Sequence, residues 1–286
     1  MPEPSKAVLI TGCSSGIGRA TALRLAGAGW TVYATARRPE TLGELKEAGA
    51  RTLALDVTDE RSMQAAVAEV EQAEGAVGVL INNAGYSQSG AIETVPLEAV
   101  RRQFETNVFG LVRLTQLVLP KMRAQRWGKI VNVGSMGGRL VFPGGGQYHA
   151  TKHALEAISD ALRYEVRGFG IDVVLLEPGL IVTEFGEAGA ASMAEVRPPG
   201  EHDPYAEFNA TVGAVTKGAY EGPMKMLGGG PERVAKVIER TLRRRRRRPP
   251  ARITITPSAK LTIGMRKLMP DRVWDAAMRA QFPQPR

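Results

Sequence analysis

The chain has 286 residues, a single cysteine and a formal net charge of +9. One cysteine excludes an internal disulfide, and no apolar run reaches the length of a membrane-spanning helix. Arg243 to Arg248 supply six of the nine charges, which excludes a surface built throughout for nucleic acid.

The N-terminal MPEPSKAVLITG enters an apolar run without a basic leader or cleavage site, so a cytoplasmic location is expected. AVLIT, TVYAT, TLALD, VGVLINNAG and KIVNVGS read as buried strands rich in Val, Ile and Leu. Helical patterns fall between them over 17–28, 60–73 and 97–125, and GQYHATKHALEAISDALRYE reads as a further helix. The strand-like IDVVLLEPG and ARITITP follow later. This alternation predicts an α/β fold, a parallel sheet covered by helices on both faces. From Thr183 the pattern breaks, and 187–230 reads as a long loop with short helices, the usual composition of a lid. Pro231 then opens PERVAKVIERTL. Two amphipathic helices close the chain, one with Leu261, Ile263, Met265 and Leu268, the other with Val273, Trp274, Met278 and Phe282. They are expected to pack over the substrate region or against a partner subunit. No repeat or linker is visible, so 1–286 reads as a single domain: 6–183 as cofactor and catalytic core, 184–230 as lid, 231–286 as last helix, last strand and extension.

The first strand ends in TGCSSGIGRA, with Gly12, Gly16 and Gly18 ahead of a helix. Such a turn lets the backbone approach a pyrophosphate at a helix N-terminus. It is neither GxGxxG nor a phosphate loop with a following lysine, and taken alone it is also compatible with a tight turn. At the end of the second strand, where an acid would bind the ribose hydroxyls, stand Arg37 and Arg38. Guanidinium suits a phosphate dianion, so the pattern points to NADP rather than NAD. The competing readings are a solvated basic loop and an NAD site.

Tyr148 and Lys152 are spaced four apart on one helix, and so are His149 and His153. A free phenol has a pKa near ~10, and a neighbouring ammonium favours its anion. A Tyr so placed can take a proton from an alcohol, or return one to a developing alkoxide. Ser135, at the end of KIVNVGS, is placed to hold the substrate oxygen beside it. The histidine pair lacks an intervening Glu, and the third histidine, His202, is distant in sequence, so no metal site is expected and both read as helix-surface or interface residues.

With these motifs the chain resembles the short-chain dehydrogenases/reductases. TGCSSGIG is similar to the family's glycine turn, and NNAG (Asn82 to Gly85) to the motif ending its fourth strand. Asn107, Ser135, Tyr148 and Lys152 match the family's catalytic tetrad, with its thirteen-residue step from Ser to Tyr. Pro178-Gly179 with Thr183 matches the segment that meets the nicotinamide. The matches run in order over 6–183, and the details look nearest the branch of 17β-hydroxysteroid and retinol dehydrogenases and their bacterial relatives.

The resemblance implies a Rossmann-type sheet of seven parallel strands ordered 3-2-1-4-5-6-7. It implies that Ser14, Ser15, Ile17 and the glycine-turn backbone contact phosphates, and that Arg37 holds the 2′-phosphate. Asp56 and Val57 would meet adenine, and Asn83, Ala84 and Gly85 the ribose and adenine side. Lys152 would bind the nicotinamide ribose, while Asn107 kinks its helix and holds a water leading from Lys152 to solvent. Ile181 and Thr183 would reach the carboxamide. A homodimer or homotetramer is implied as well.

The expected function is therefore an NADP(H)-dependent ketone/aldehyde–alcohol oxidoreductase, with NAD(H) as the alternative. Phe142, Pro143, Phe185 and the lid would enclose an apolar substrate. The reading from another class is an NADP-binding sensor without turnover, against which the complete tetrad argues. The arginine tract reads as the solvated end of the helix begun at Pro231, with nonspecific nucleic-acid or anionic-membrane contact as the competitors. A membrane-surface role for the last helices is a further competitor.

Overall fold

The computed structural model describes residues 3–186, 189, 192, 203–221, 226–244 and 248–285. Seven strands, β1 (Val8–Ile10), β2 (Val32–Ala36), β3 (Arg51–Ala54), β4 (Val79–Asn82), β5 (Gly128–Val133), β6 (Ile171–Glu177) and β7 (Arg252–Thr254), form one sheet. Their order is β3-β2-β1-β4-β5-β6-β7, and every pairing is parallel. Parallel strands need crossovers, and helices provide them: α1 (Gly16–Gly27), α2 (Gly43–Glu47), α3 (Glu60–Glu74), α4 (Leu97–Phe104), α5 (Gly110–Ala124) and α6 (Gly146–Glu165). After β6 come α7 (Ala206–Glu221), α8 (Pro231–Leu242), α9 (Pro257–Leu268) and α10 (Asp271–Gln281).

The two-residue period of a strand divides β1 between two cores. Val8 and Ile10 pack with Ala22 and Leu25 of α1 and with Val234 and Ile238 of α8. Leu9 faces the other way, into a cluster with Val67 of α3 and Leu114 and Val118 of α5. β1 therefore lies at the centre of the fold, and the strand order reverses between β1 and β4, where a ligand crevice forms in such sheets. Arg252 anchors the short β7 by bonding Glu156 of α6 at 2.7 Å.

Three expectations need correction. The helix read over 97–125 is interrupted by a π turn at Glu105–Phe109, which carries Asn107. The stretch read as a loop with short helices contains α7, sixteen residues long. Its two glycines and its Thr and Val residues weaken the helical signal, and Val212, buried at 4 % exposure, gives it an anchor. The arginine tract does not continue the helix begun at Pro231, which ends at Leu242 with Arg243 as its C-cap. Buried Lys129 donates from Nζ to the carbonyls of Thr241 and Arg244, satisfying groups that a helix end leaves open. Arg243 pairs with Glu239 at 2.9 Å, while Arg245 to Arg247 lie outside the described residues. Among the described residues no helix is long and apolar enough to cross a membrane.

Candidate active site

The chain leaves β1 through Gly12 (φ +70°) and Gly16 (φ +53°), left-handed conformations that favour glycine. Gly18 is required by contact instead: a Cβ there would lie 2.2 Å from the Gly12 carbonyl oxygen. The turn is braced from the end of β4. Asn83 Nδ2 donates to the carbonyls of Thr11 (2.9 Å) and Gly12 (3.0 Å), and Thr11 Oγ1 accepts from the N–H groups of Asn83 and Ala84. Ser15, the N-cap of α1, makes no side-chain capping bond, which leaves the first-turn N–H groups available to an anion. Cys13 points away into the core, where burial pushes its thiol up to about 12.

A cleft of about 1400 Å³ opens from this turn. Towards the β2–β3 side it is lined by Arg37, Asp56 and Val57, and at the centre by Gly12, Ser14, Ser15, Gly16, Ile17, Asn83, Ala84 and Gly85. Towards β5 and β6 it is lined by Ser135, Tyr148, Lys152, Pro178, Gly179, Ile181 and Thr183, and beyond them by Phe142, Pro143 and Phe185. The cleft thus brings together nearly all the residues singled out from the sequence. Three are not in its wall. Gly18 packs behind the turn, Arg38 is exposed outside the cleft, and Asn107 is buried behind the loop that follows β4. Open length, glycine cradle and uncapped helix N-terminus fit a dinucleotide.

Asn107 ties two elements together. Its Oδ1 accepts from the N–H of Tyr86 at 3.0 Å, and its Nδ2 donates to the Tyr86 carbonyl at 2.9 Å and to Thr151 Oγ1 at 3.1 Å. Thr151 precedes Lys152 on α6, so the π turn fixes the loop after NNAG against the helix carrying Tyr148. Ser135 caps a short turn, accepting at Oγ from the N–H of Gly137 at 3.0 Å. The N–H of Met136 bonds the Pro178 carbonyl at 2.8 Å, which sets this turn against the end of β6. Gly179 is held from the C-terminal extension by Thr256 Oγ1 at 3.1 Å.

Lys152 is 6 % exposed, and burial lowers its ammonium to about 8. Its Nζ donates to the Val133 carbonyl at 2.9 Å and lies 5.7 Å from the centroid of the Tyr148 ring. At that range its positive charge favours the phenolate form of Tyr148. Tyr148 also packs against Phe185, ring centroids 5.6 Å apart.

His149 is not the surface residue the sequence predicted. It is buried beside Tyr148, with its Nδ1 3.1 Å from the Gly137 carbonyl. Gly137 and Gly145 make the room, since a Cβ at either would strike the imidazole. Burial lowers its pKa to about 4, so the ring is neutral at pH 7 and donates from Nδ1, because a carbonyl can only accept. The adjacent Gly137 N–H is the one that Ser135 accepts, so His149 braces the serine turn. His153 is exposed, and His202 lies outside the described residues. Among the described residues no cluster of three metal-ligand side chains forms.

Sequence reasoning missed Tyr86 and Arg102, both in the cleft wall. Burial raises the Tyr86 phenol, and the Arg102 and Arg37 guanidinium groups oppose that shift. Tyr86 directly follows NNAG, which is a usable signal. Arg102 carries none, because only the placement of α4 brings it to Tyr86.

A family model described as short chain dehydrogenase matches residues 6–193. Among curated proteins, the chain is 35 % identical to the oxidoreductase YusZ of Bacillus subtilis, over 97 % of this chain and 98 % of that protein. It is 36 % identical to the 3-ketodihydrosphingosine reductase of Bacteroides thetaiotaomicron, over 95 % and 96 %. It is 33 % identical to the NADPH-dependent 3-dehydrocapnine reductase of Ornithobacterium rhinotracheale, over 93 % and 94 %. Among solved structures, a short-chain dehydrogenase of Streptomyces avermitilis superposes with a TM-score of 0.78 at 35 % identity, covering 97 % of this chain and 98 % of that one. A Burkholderia phymatum structure in complex with NAD gives 0.76 at 26 % identity, covering 93 % and 94 %. A serine dehydrogenase complexed with NADP+ gives 0.73 at 28 % identity, covering 88 % and 94 %.

Proposed function

The chain belongs to the short-chain dehydrogenase/reductase family of oxidoreductases, and from that premise we propose that it is an NADP(H)-dependent reductase of an apolar ketone or aldehyde. The observation that carries this reading is one cleft with Arg37 at one end and Ser135, Tyr148 and Lys152 at the other. A bound nicotinamide dinucleotide supplies the hydride. Ser135 Oγ donates to the carbonyl oxygen and holds it at Tyr148. The Tyr148 hydroxyl gives its proton to that oxygen as negative charge develops there. Lys152 stabilises the resulting phenolate by charge, and Asn107 keeps Lys152 in place through Thr151. Phe142, Pro143 and Phe185 exclude water around the reacting carbon.

Arg37 takes the 2′-phosphate, with Arg102 as a second cation on the same side. The Ornithobacterium relative, named as an NADPH-dependent reductase, supports the cofactor, and it and the Bacteroides relative, also named as a reductase, support the direction. The glycine turn holds the pyrophosphate, with Ser14, Ser15 and Ile17. Asp56 and Val57 flank the adenine, Asn83 to Gly85 the ribose, and Pro178, Gly179, Ile181 and Thr183 the nicotinamide side. The chain acts as one domain, cytoplasmic; of the lid expected over 184–230, residues 187–188, 190–191, 193–202 and 222–225 lie outside the described residues. A homodimer or homotetramer is supported by the apolar Leu97, Phe109 and Tyr164 exposed on α4, the π turn and α6.

The test is a titration with NADPH and NADH, read by nicotinamide fluorescence. NADPH is expected to bind at least about tenfold tighter, and Arg37→Asp to abolish or reverse that preference. Equal affinities in the unaltered protein would overturn the NADP assignment, and failure to bind either would overturn the enzyme reading.

A further inference from the structure

The cleft does not end at Tyr148. Beyond Phe142 its wall carries the apolar Pro143, Val212, Val215 and Phe282, with Thr216 and Gln281 beside them. A second cavity of about 210 Å³ opens on the far side of Pro143 and Phe282, which belong to both walls. Its apolar lining comes from Phe208 of α7, Met278 of α10 and the prolines Pro283 and Pro285. Its polar residues, Asp275, Arg279 and Gln284, are exposed and mark a mouth open to water. Phe282 and Val212 are buried against each other, with Phe208, Val215 and Met278 packed around them. A partition that includes one phenyl ring therefore separates the reacting centre from an apolar pocket leading to the surface.

We infer that the two cavities form one channel and that the substrate carries a long unbranched aliphatic chain. Its carbonyl sits at Tyr148 and Ser135, and its tail runs past Pro143 and Phe282 to lie between α7 and α10. This rests on the oxidoreductase reading and narrows its substrate class. A flexible chain passes the constriction when one phenyl ring turns. A rigid fused-ring substrate would have to displace Pro143 and Val212 as well. The outer cavity exceeds the roughly 150 Å³ that admits a benzene ring, so it has room for several methylenes. Among the described residues, the charged side chains that line the outer cavity, Asp275 and Arg279, are exposed and stand at its mouth.

The test is a series of straight-chain methyl ketones from butanone to dodecanone, with kcat/KM read by NADPH consumption. Each methylene that enters the channel is expected to raise kcat/KM about fourfold, the factor for removing one CH₂ from water, until the outer cavity is full. Met278→Glu places a charge in the outer cavity and is expected to lower the ratio of long-chain to short-chain kcat/KM by about a hundredfold. Phe208→Trp fills the same space without charge and is expected to move the preferred length down by a few carbons. It also keeps the test open if the glutamate variant fails to fold. Turnover of short ketones with no gain in length would overturn the channel and leave the enzyme reading standing. So would a length dependence untouched by either variant. Turnover of no ketone at all would sink both.

Discussion

The two ends of the cleft are built by different physics. At the glycine-turn end the backbone is held by directed bonds: Asn83 to Thr11 and Gly12, Thr11 to Asn83 and Ala84, Asn107 to Tyr86 and Thr151. Removing one partner there leaves a buried polar group unpaired. At the α7–α10 end the wall is side-chain packing. Leu140, Ile263 and Trp274 form one cluster, with Phe142 and Met278 packed against it, and Val212 and Phe282 form another. Packing tolerates change of shape if volume is kept, whereas a hydrogen-bonded turn tolerates almost none. A fold divided in this way can keep one cofactor and one proton donor while the substrate end varies.

The contrast can be broken most severely at Tyr148. Tyr148→Phe removes the proton donor and is expected to cut kcat about a thousandfold while leaving NADPH affinity unchanged, checked by steady-state kinetics beside a fluorescence titration. Comparable turnover in the variant would remove Tyr148 from the mechanism. Next comes the turn. Gly18→Ala forces a methyl group against the Gly12 carbonyl and is expected to cost about 3 kcal/mol or more in a denaturant melt, together with NADPH binding.

The pH response sharpens the same division. His149 titrates near 4 when folded and near 6.5 when free, so between these values the unfolded chain binds more protons. Its share of stability is complete above about pH 6.5 and is lost as pH falls towards 4, about 3 kcal/mol in all. His149→Asn is expected to flatten that part of the stability profile. Lys152 loses its charge as pH rises through about 8, so carbonyl reduction is expected to decline there, by about tenfold per unit at most. The smallest effect belongs to the packed end. Trp274→Ala, 6.1 Å from Phe142 by ring centroids, is expected to raise the ketone KM severalfold and leave NADPH affinity as it was.

The sequence by itself determined the strand alternation and the glycine turn, and with them the α/β class, and it singled out Ser135, Tyr148 and Lys152, which the cleft brings together. These are legible because backbone constraints leave short local marks: a positive φ or a close contact requires glycine, and a four-residue step on a helix aligns Tyr148 with Lys152. Only the tertiary structure decided that His149 is buried, that Arg37 and Arg102 line one cleft while Arg38 does not, and that α7 and α10 enclose a second cavity. Each of these depends on elements far apart in the chain meeting at a particular angle. Apolar packing has no residue code finer than size and hydrophobicity, so the substrate end became readable only once the helices were in place.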